Sequence, residues 1–164
     1  MIEMVIYMAI LAVVSILVVG VIIMMMRAFG RIKVGREIDD SAQAAMGRMI
    51  NEIRYATSTS VAASTFGSGS GKLILNTTDR STLAGISTEF SLSGGAVRIK
   101  EGGGTYQNLT SGDVQVTALT FNHIVEANTS EAIKIQMTIT ATRGSYQKTA
   151  NFYDTAVLRG SYWH

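Results

Sequence analysis

The side chains that could do chemistry in this sequence are few and scattered. His123 and His164 are its two histidines; Glu126 lies three residues after His123, but His123 follows the alternating strand pattern of Phe121-Asn122 rather than a helix, so that spacing does not bring two metal ligands together. Both read as surface residues. The chain has no Cys, which excludes a disulfide framework and every thiolate metal site. A phosphate-binding loop needs Gly, four residues, then Gly-Lys followed by Ser or Thr. Around residues 67–72 the two deciding positions hold Phe66 and Leu73, so nucleotide binding is rejected there. Serines are abundant but none lies in a nucleophile-elbow sequence. These residues give no cofactor site and no catalytic constellation, and the chain reads as a non-enzyme. Asn76, Asn108 and Asn128 each begin an Asn-x-Ser/Thr triplet in turn-like surroundings and are candidate glycosylation positions.

The one carboxylate whose setting demands an explanation is Glu3. It stands at the edge of residues 4–26, 23 consecutive residues without a charge. As a helix that run is about 35 Å long at ~1.5 Å per residue, enough to cross the ~30 Å core of a bilayer. A secretory signal would have a shorter apolar region, basic residues before it and a small-residue cleavage site after it, and neither flank is present. Apolar residues cover every face of the run, unlike the single stripe of a helix packed in a soluble core. A carboxylate beside such a segment is costly unless it is paired or lies in the headgroup layer.

Arg27, Arg31, Lys33 and Arg36 follow, with no acidic residue between them. Residues 37–164 hold ten basic and eleven acidic groups, so the formal +2 of the chain is concentrated in this collar. Its basic character fits anionic headgroups or the acidic groups of neighbours in an assembly. Elsewhere the basic residues are scattered singly, and no nucleic-acid groove is expected.

Residues 2–19 (IEMVIYMAILAVVSILVV) resemble the N-terminal segment of the type IV pilins and type II secretion pseudopilins. The likeness rests on an Ile-Glu pair opening a long aliphatic helix, on Tyr7 four residues after the glutamate, and on the small residues Ala9 and Ala12. Two features depart from the family pattern. The glutamate stands third rather than fifth, and Gly20 occupies the place, 17 residues beyond it, where many pilins carry a helix-breaking Pro. Gly costs a helix about 1 kcal/mol relative to Ala, less than the ~3 of Pro. Gly20, with Gly30, is therefore the expected point of bending when helices pack in a filament. The resemblance implies that Glu3 pairs with the N-terminal amine, here on Met1, of an adjacent subunit. It implies as partners further copies of the chain, membrane lipid before assembly, a prepilin peptidase and the pilus assembly machinery.

The remaining elements follow from periodicity. Ile38, Ala42, Ala45, Met46, Met49, Ile50 and Ile53 recur every three or four residues, with Asp39, Gln43, Arg48, Glu52 and Arg54 largely on other faces. With no Pro between Glu3 and Tyr55, a single helix of more than 50 residues is the simplest reading. Asp39-Asp40-Ser41 could cap a helical restart after Gly35. Residues 57–71 have the small, polar composition of a loop, and nine of the 16 Gly fall between Gly67 and Gly104, as tight turns between short strands require. Alternation predicts strands over 72–75, 89–92, 96–100, 114–122, 132–141 and 146–158, with a Gly94-Gly95 hairpin turn. Tyr146, Phe152, Tyr153, Tyr162 and Trp163 cluster late in the chain, and Tyr162-Trp163 could form a subunit contact.

The expected fold is α+β: a long N-terminal helix, apolar then amphipathic, with an antiparallel β-sheet packed on its C-terminal half. Residues 1–26 are the transmembrane or filament-core helix, 27–57 the collar and amphipathic helix, and 58–164 the β-rich head. The expected function is that of a structural subunit, held in the bacterial cytoplasmic membrane before assembly and then part of an extracellular pilus. Two alternatives stand beside it: a minor pseudopilin of a type II secretion system, and a single-pass membrane protein that never polymerises. In the last case the collar would place the β domain in the cytoplasm by the positive-inside rule.

Overall fold

The computed structural model describes residues 2–79, 82–125, 130–144 and 146–159. Helix α1 (Ile2–Tyr55) runs unbroken for 54 residues, about 80 Å at ~1.5 Å per residue. No backbone obstacle interrupts it, because Pro is absent from the chain. Side chains divide it into two halves. Every residue from Ile2 to Phe29 is exposed, whereas Val34, Ile38, Ala42, Ala45, Met49 and Ile53 are fully buried along one stripe.

Two expectations for this helix are corrected. Asp39-Asp40-Ser41 caps nothing, since α1 continues through Gly35; Asp39 and Asp40 face solvent and Ser41 is buried. Glu52 belongs to the buried set, only 7% exposed. Its carboxylate lies 3.2 Å from the Arg48 guanidinium one turn earlier, and Arg48 also pairs with Glu101. An ion pair makes that burial tolerable where an isolated carboxylate would not be.

After the helix come β1 (Ser58–Thr59), β2 (Lys72–Thr78), β3 (Gly85–Ser93), β4 (Ala96–Glu101) and β5 (Gln107–Asn108), an antiparallel sheet in the order β1-β2-β3-β4-β5. Strands β6 (Gln115–Val125), β7 (Glu131–Arg143) and β8 (Tyr146–Val157) form a second antiparallel sheet in chain order. The β3–β4 turn is formed by Gly94 and Gly95, both at positive φ (61° and 75°), the backbone a two-residue type I′ hairpin requires. The single sheet expected from alternation is thus two sheets joined by a seam.

Residues 57–71 make that seam, and reading them as a loop alone is corrected. They contribute β1 and a 3₁₀ turn (Val61–Ala63). Gly67 N–H donates to the Phe121 carbonyl at 2.9 Å, Gly71 N–H to Leu119 at 2.7 Å, and Leu119 N–H to Gly69 at 2.7 Å. Val116 N–H adds a 2.8 Å bond to Gly95 on the first sheet. A Cβ on Gly71 would come within 2.6 Å of the Leu119 carbonyl oxygen, so the close approach needs glycine there.

Ile133, Ile135, Met137 and Ile139 alternate inward along β7 and are buried, as their spacing predicts. Together with Leu73, Phe90 and Phe121 from the other strands they close over the helix stripe in one core. Strand β8 lies along α1. Its start is beside Arg31, through Tyr146, and its end beside Asn51 and Arg54, through Thr155–Val157. The lengths agree: about 33 Å of strand at ~3.3 Å per residue covers about 35 Å of helix at ~1.5 Å per residue.

Candidate membrane and assembly surface

The first half of α1 has the composition of a membrane span and none of it is buried against the protein. Its most hydrophobic window meets only solvent, with Tyr7 70% and Ile16 73% exposed. Ser15 is the aliphatic hydroxyl inside this run, which also holds the phenol of Tyr7, and its Oγ donates to the Leu11 carbonyl at 2.8 Å. That internal bond leaves the hydroxyl needing no water, a requirement in lipid or in a dry helix bundle. Glu3 is the acidic residue of the first turn, where the positive end of the helix dipole favours it. A Cβ at Gly20 or at Gly30 would meet nothing within 4 Å, and the helix is continuous across both. Met1 lies outside the described residues.

The collar is larger in space than in sequence. Arg27, Arg31, Lys33 and Arg36 are all exposed, within three turns of α1. The β7–β8 hairpin ends against the same turns and brings further cations. Arg143 Nη1 donates to Glu37 Oε1 at 2.9 Å, with Lys33 Nζ 4.0 Å from the same oxygen. Lys148 Nζ lies over Gly35, 3.4 Å from where a Cβ would stand. The Arg31 guanidinium sits 5.5 Å from the centre of the Tyr146 ring, within cation–π range. Sequence reasoning missed Arg143, Tyr146 and Lys148 as members of the collar. Their placement depends on how far β8 extends along the helix, which local pattern does not encode.

The other candidate residues are elsewhere and do not converge. His123 is corrected from a surface residue to a half-buried one: its ring stacks on Phe66 with centroids 5.3 Å apart. Its Nε2 is 3.5 Å from Glu131 Oε2, and both atoms are buried and make no hydrogen bond. The seam carries Phe66 onto β6 and so covers the imidazole. Asn76 and Asn108 are strand residues rather than turn residues. Asn76 Nδ2 donates to Ser58 Oγ at 2.9 Å, and Asn108 Oδ1 accepts from Arg98 Nε at 3.1 Å, so both amides are used between strands. Asn128, Tyr162, Trp163 and His164 lie outside the described residues.

Among the described residues no three His, Cys, Asp or Glu side chains gather at a point that could hold a metal ion. On the first sheet Tyr106 Oη donates to Glu89 Oε1 at 2.9 Å, and Lys72 reaches the same carboxylate at 3.5 Å. The hydrogen bond to Glu89, then partial desolvation and the negative charge of that carboxylate, raise the Tyr106 phenol above its usual value of 10.0. The arrangement is structural, linking β3 to the segment before β5. No family model, curated protein or solved structure matches the chain.

Proposed function

We propose that this chain is the repeating structural subunit of a type IV pilus-like filament. The apolar half of α1 anchors it in the cytoplasmic membrane, and the same surface then packs against other copies in the filament core on the cell exterior. The observation that carries this reading is the unbroken helix whose first half is wholly exposed and apolar, with one carboxylate in its first turn, while the β domain covers only its second half. Such a surface is satisfied by lipid or by other helices, and it fits both stages of one pathway.

Glu3 gives the mechanism its direction. An unpaired carboxylate in an apolar bundle costs several kcal/mol. A neighbour's N-terminal amine removes that cost through a charge-assisted hydrogen bond and fixes the axial register of the two helices. Processing by a prepilin peptidase and export by pilus machinery complete the reading. The test is Glu3→Ala, assayed for membrane insertion and for filament yield. Normal insertion with filaments largely lost is expected, and wild-type filament yield would contradict the mechanism.

A second reading has its own supporting observation. The cations gathered where α1 leaves its apolar run favour, by the positive-inside rule, a single-pass protein whose β domain stays in the cytoplasm and never polymerises. Labelling of a Cys introduced at exposed Thr149 by a membrane-impermeant reagent separates the two: outward exposure supports the filament subunit. A minor pseudopilin would share the same contacts and differ in abundance, one or a few copies per filament instead of many.

A further inference from the structure

The groove where the β7–β8 hairpin meets the end of the apolar run is lined by Met26, Arg27, Gly30, Arg31, Arg143 and Tyr146. Its three guanidinium groups come from two elements far apart in sequence. Two are already held in place, Arg31 by the Tyr146 ring and Arg143 by Glu37. Arg27 makes no ion pair among the described residues, and it is the first charge after the apolar run. A Cβ at Gly30 would have nothing within 4 Å, so the helix surface between Arg27 and Arg31 is open.

We propose that this groove binds the phosphodiester of an anionic phospholipid headgroup, and that the β7–β8 hairpin thereby sets the depth and orientation of the β domain on the bilayer. The inference rests on the reading that residues 4–26 cross a membrane. A span of about 35 Å in a hydrocarbon core of ~30 Å puts Arg27 at the level of the lipid phosphates. Guanidinium groups match phosphate oxygens in bidentate geometry, and each carries five N–H donors, of which Arg143 commits one to Glu37. A tyrosine at the same level suits the interface, where its ring is half in apolar and half in wet surroundings. Glu37 is the carboxylate within this group of cations, and it is already engaged by Arg143 and Lys33.

The full chain would be placed in nanodiscs of equal phosphatidylcholine and phosphatidylglycerol, and the lipids retained on the protein read by native mass spectrometry. Preferential retention of phosphatidylglycerol is expected, weakened about fivefold by Arg27→Gln and again by Arg31→Gln, the effect of losing one cation at the surface. Lys134→Gln on β7, away from the groove, should leave retention unchanged. Arg27 is exposed and unpaired among the described residues, so its loss leaves folding intact. Equal retention of the two lipids, or an unchanged preference in both arginine variants, overturns the headgroup site while leaving the membrane anchor standing. Orthophosphate that perturbs the same residues in phosphatidylcholine nanodiscs as strongly as phosphatidylglycerol does also overturns it, in favour of a general anion site. A chain that fails to enter the nanodiscs overturns the spanning reading and this inference together.

Discussion

The two halves of α1 share one backbone and differ in what completes them. From Val34 onward an apolar stripe is buried by the chain's own β domain, with polar residues on the other faces. Before Phe29 the apolar residues surround the helix and none of the described residues covers them. The second half is a finished structure in water, while the first requires lipid or other helices. Hydrogen bonding within a helix makes both equally regular, so regularity of the backbone says nothing about whether a segment is satisfied.

Substitutions that act on one half and spare the other test this division. The largest effect is expected in the core: Ile135→Ala should lower β-domain stability by about 2–5 kcal/mol in chemical denaturation, with membrane insertion unchanged. Leu17→Arg should do the reverse, opposing insertion by about 3 kcal/mol and leaving the denaturation midpoint of the domain where it was. If either substitution moved both readouts, the halves would not be independent. Gly71→Ala sharpens the account of the seam. The collision with the Leu119 carbonyl should cost about 1–3 kcal/mol, seen as an earlier loss of amide protection along β6.

Gly20→Ala has a smaller effect and opposite consequences at the two stages. It meets no neighbour and should favour the helix by about 1 kcal/mol in membranes, measured by helical content. If the chain assembles as proposed, with bending at Gly20, the same change should reduce assembly. Full assembly with the more stable helix would remove Gly20 from the mechanism. The smallest effect concerns Tyr106. Because its folded pKa is raised, its contribution to stability is fully present below the unfolded value near 10.0 and is lost as pH rises through the folded value. Glu89→Gln should bring the phenol titration, followed by ultraviolet absorbance, back towards the ordinary value.

Elements with their own periodicity were legible in the sequence. The unbroken helix to Tyr55, the alternation along β7 and the Gly94-Gly95 turn all follow from local pattern. Features made by distant partners were not. Strands β1 and β5 have two residues each, too few to alternate, and exist because β2 and β4 offer edges. The seam looked like a loop because its hydrogen bonds go to β6, about fifty residues later in the chain. Glu52 looked solvent-facing because its burial depends on Arg48 and on strands whose register no local rule sets. The collar was legible on the helix and invisible on the hairpin, since Arg143 and Tyr146 reach it only through the matched lengths of β8 and α1.

On the proposed function, the exposed half of α1 leaves the membrane to pack with copies of itself. Intact-mass spectrometry of the native protein, compared between sheared cell-surface material and the membrane fraction, tests it most directly. On this reading abundant protein in the sheared material, with a processed and methylated N-terminus, is expected. Unprocessed protein confined to the membrane fraction would contradict it.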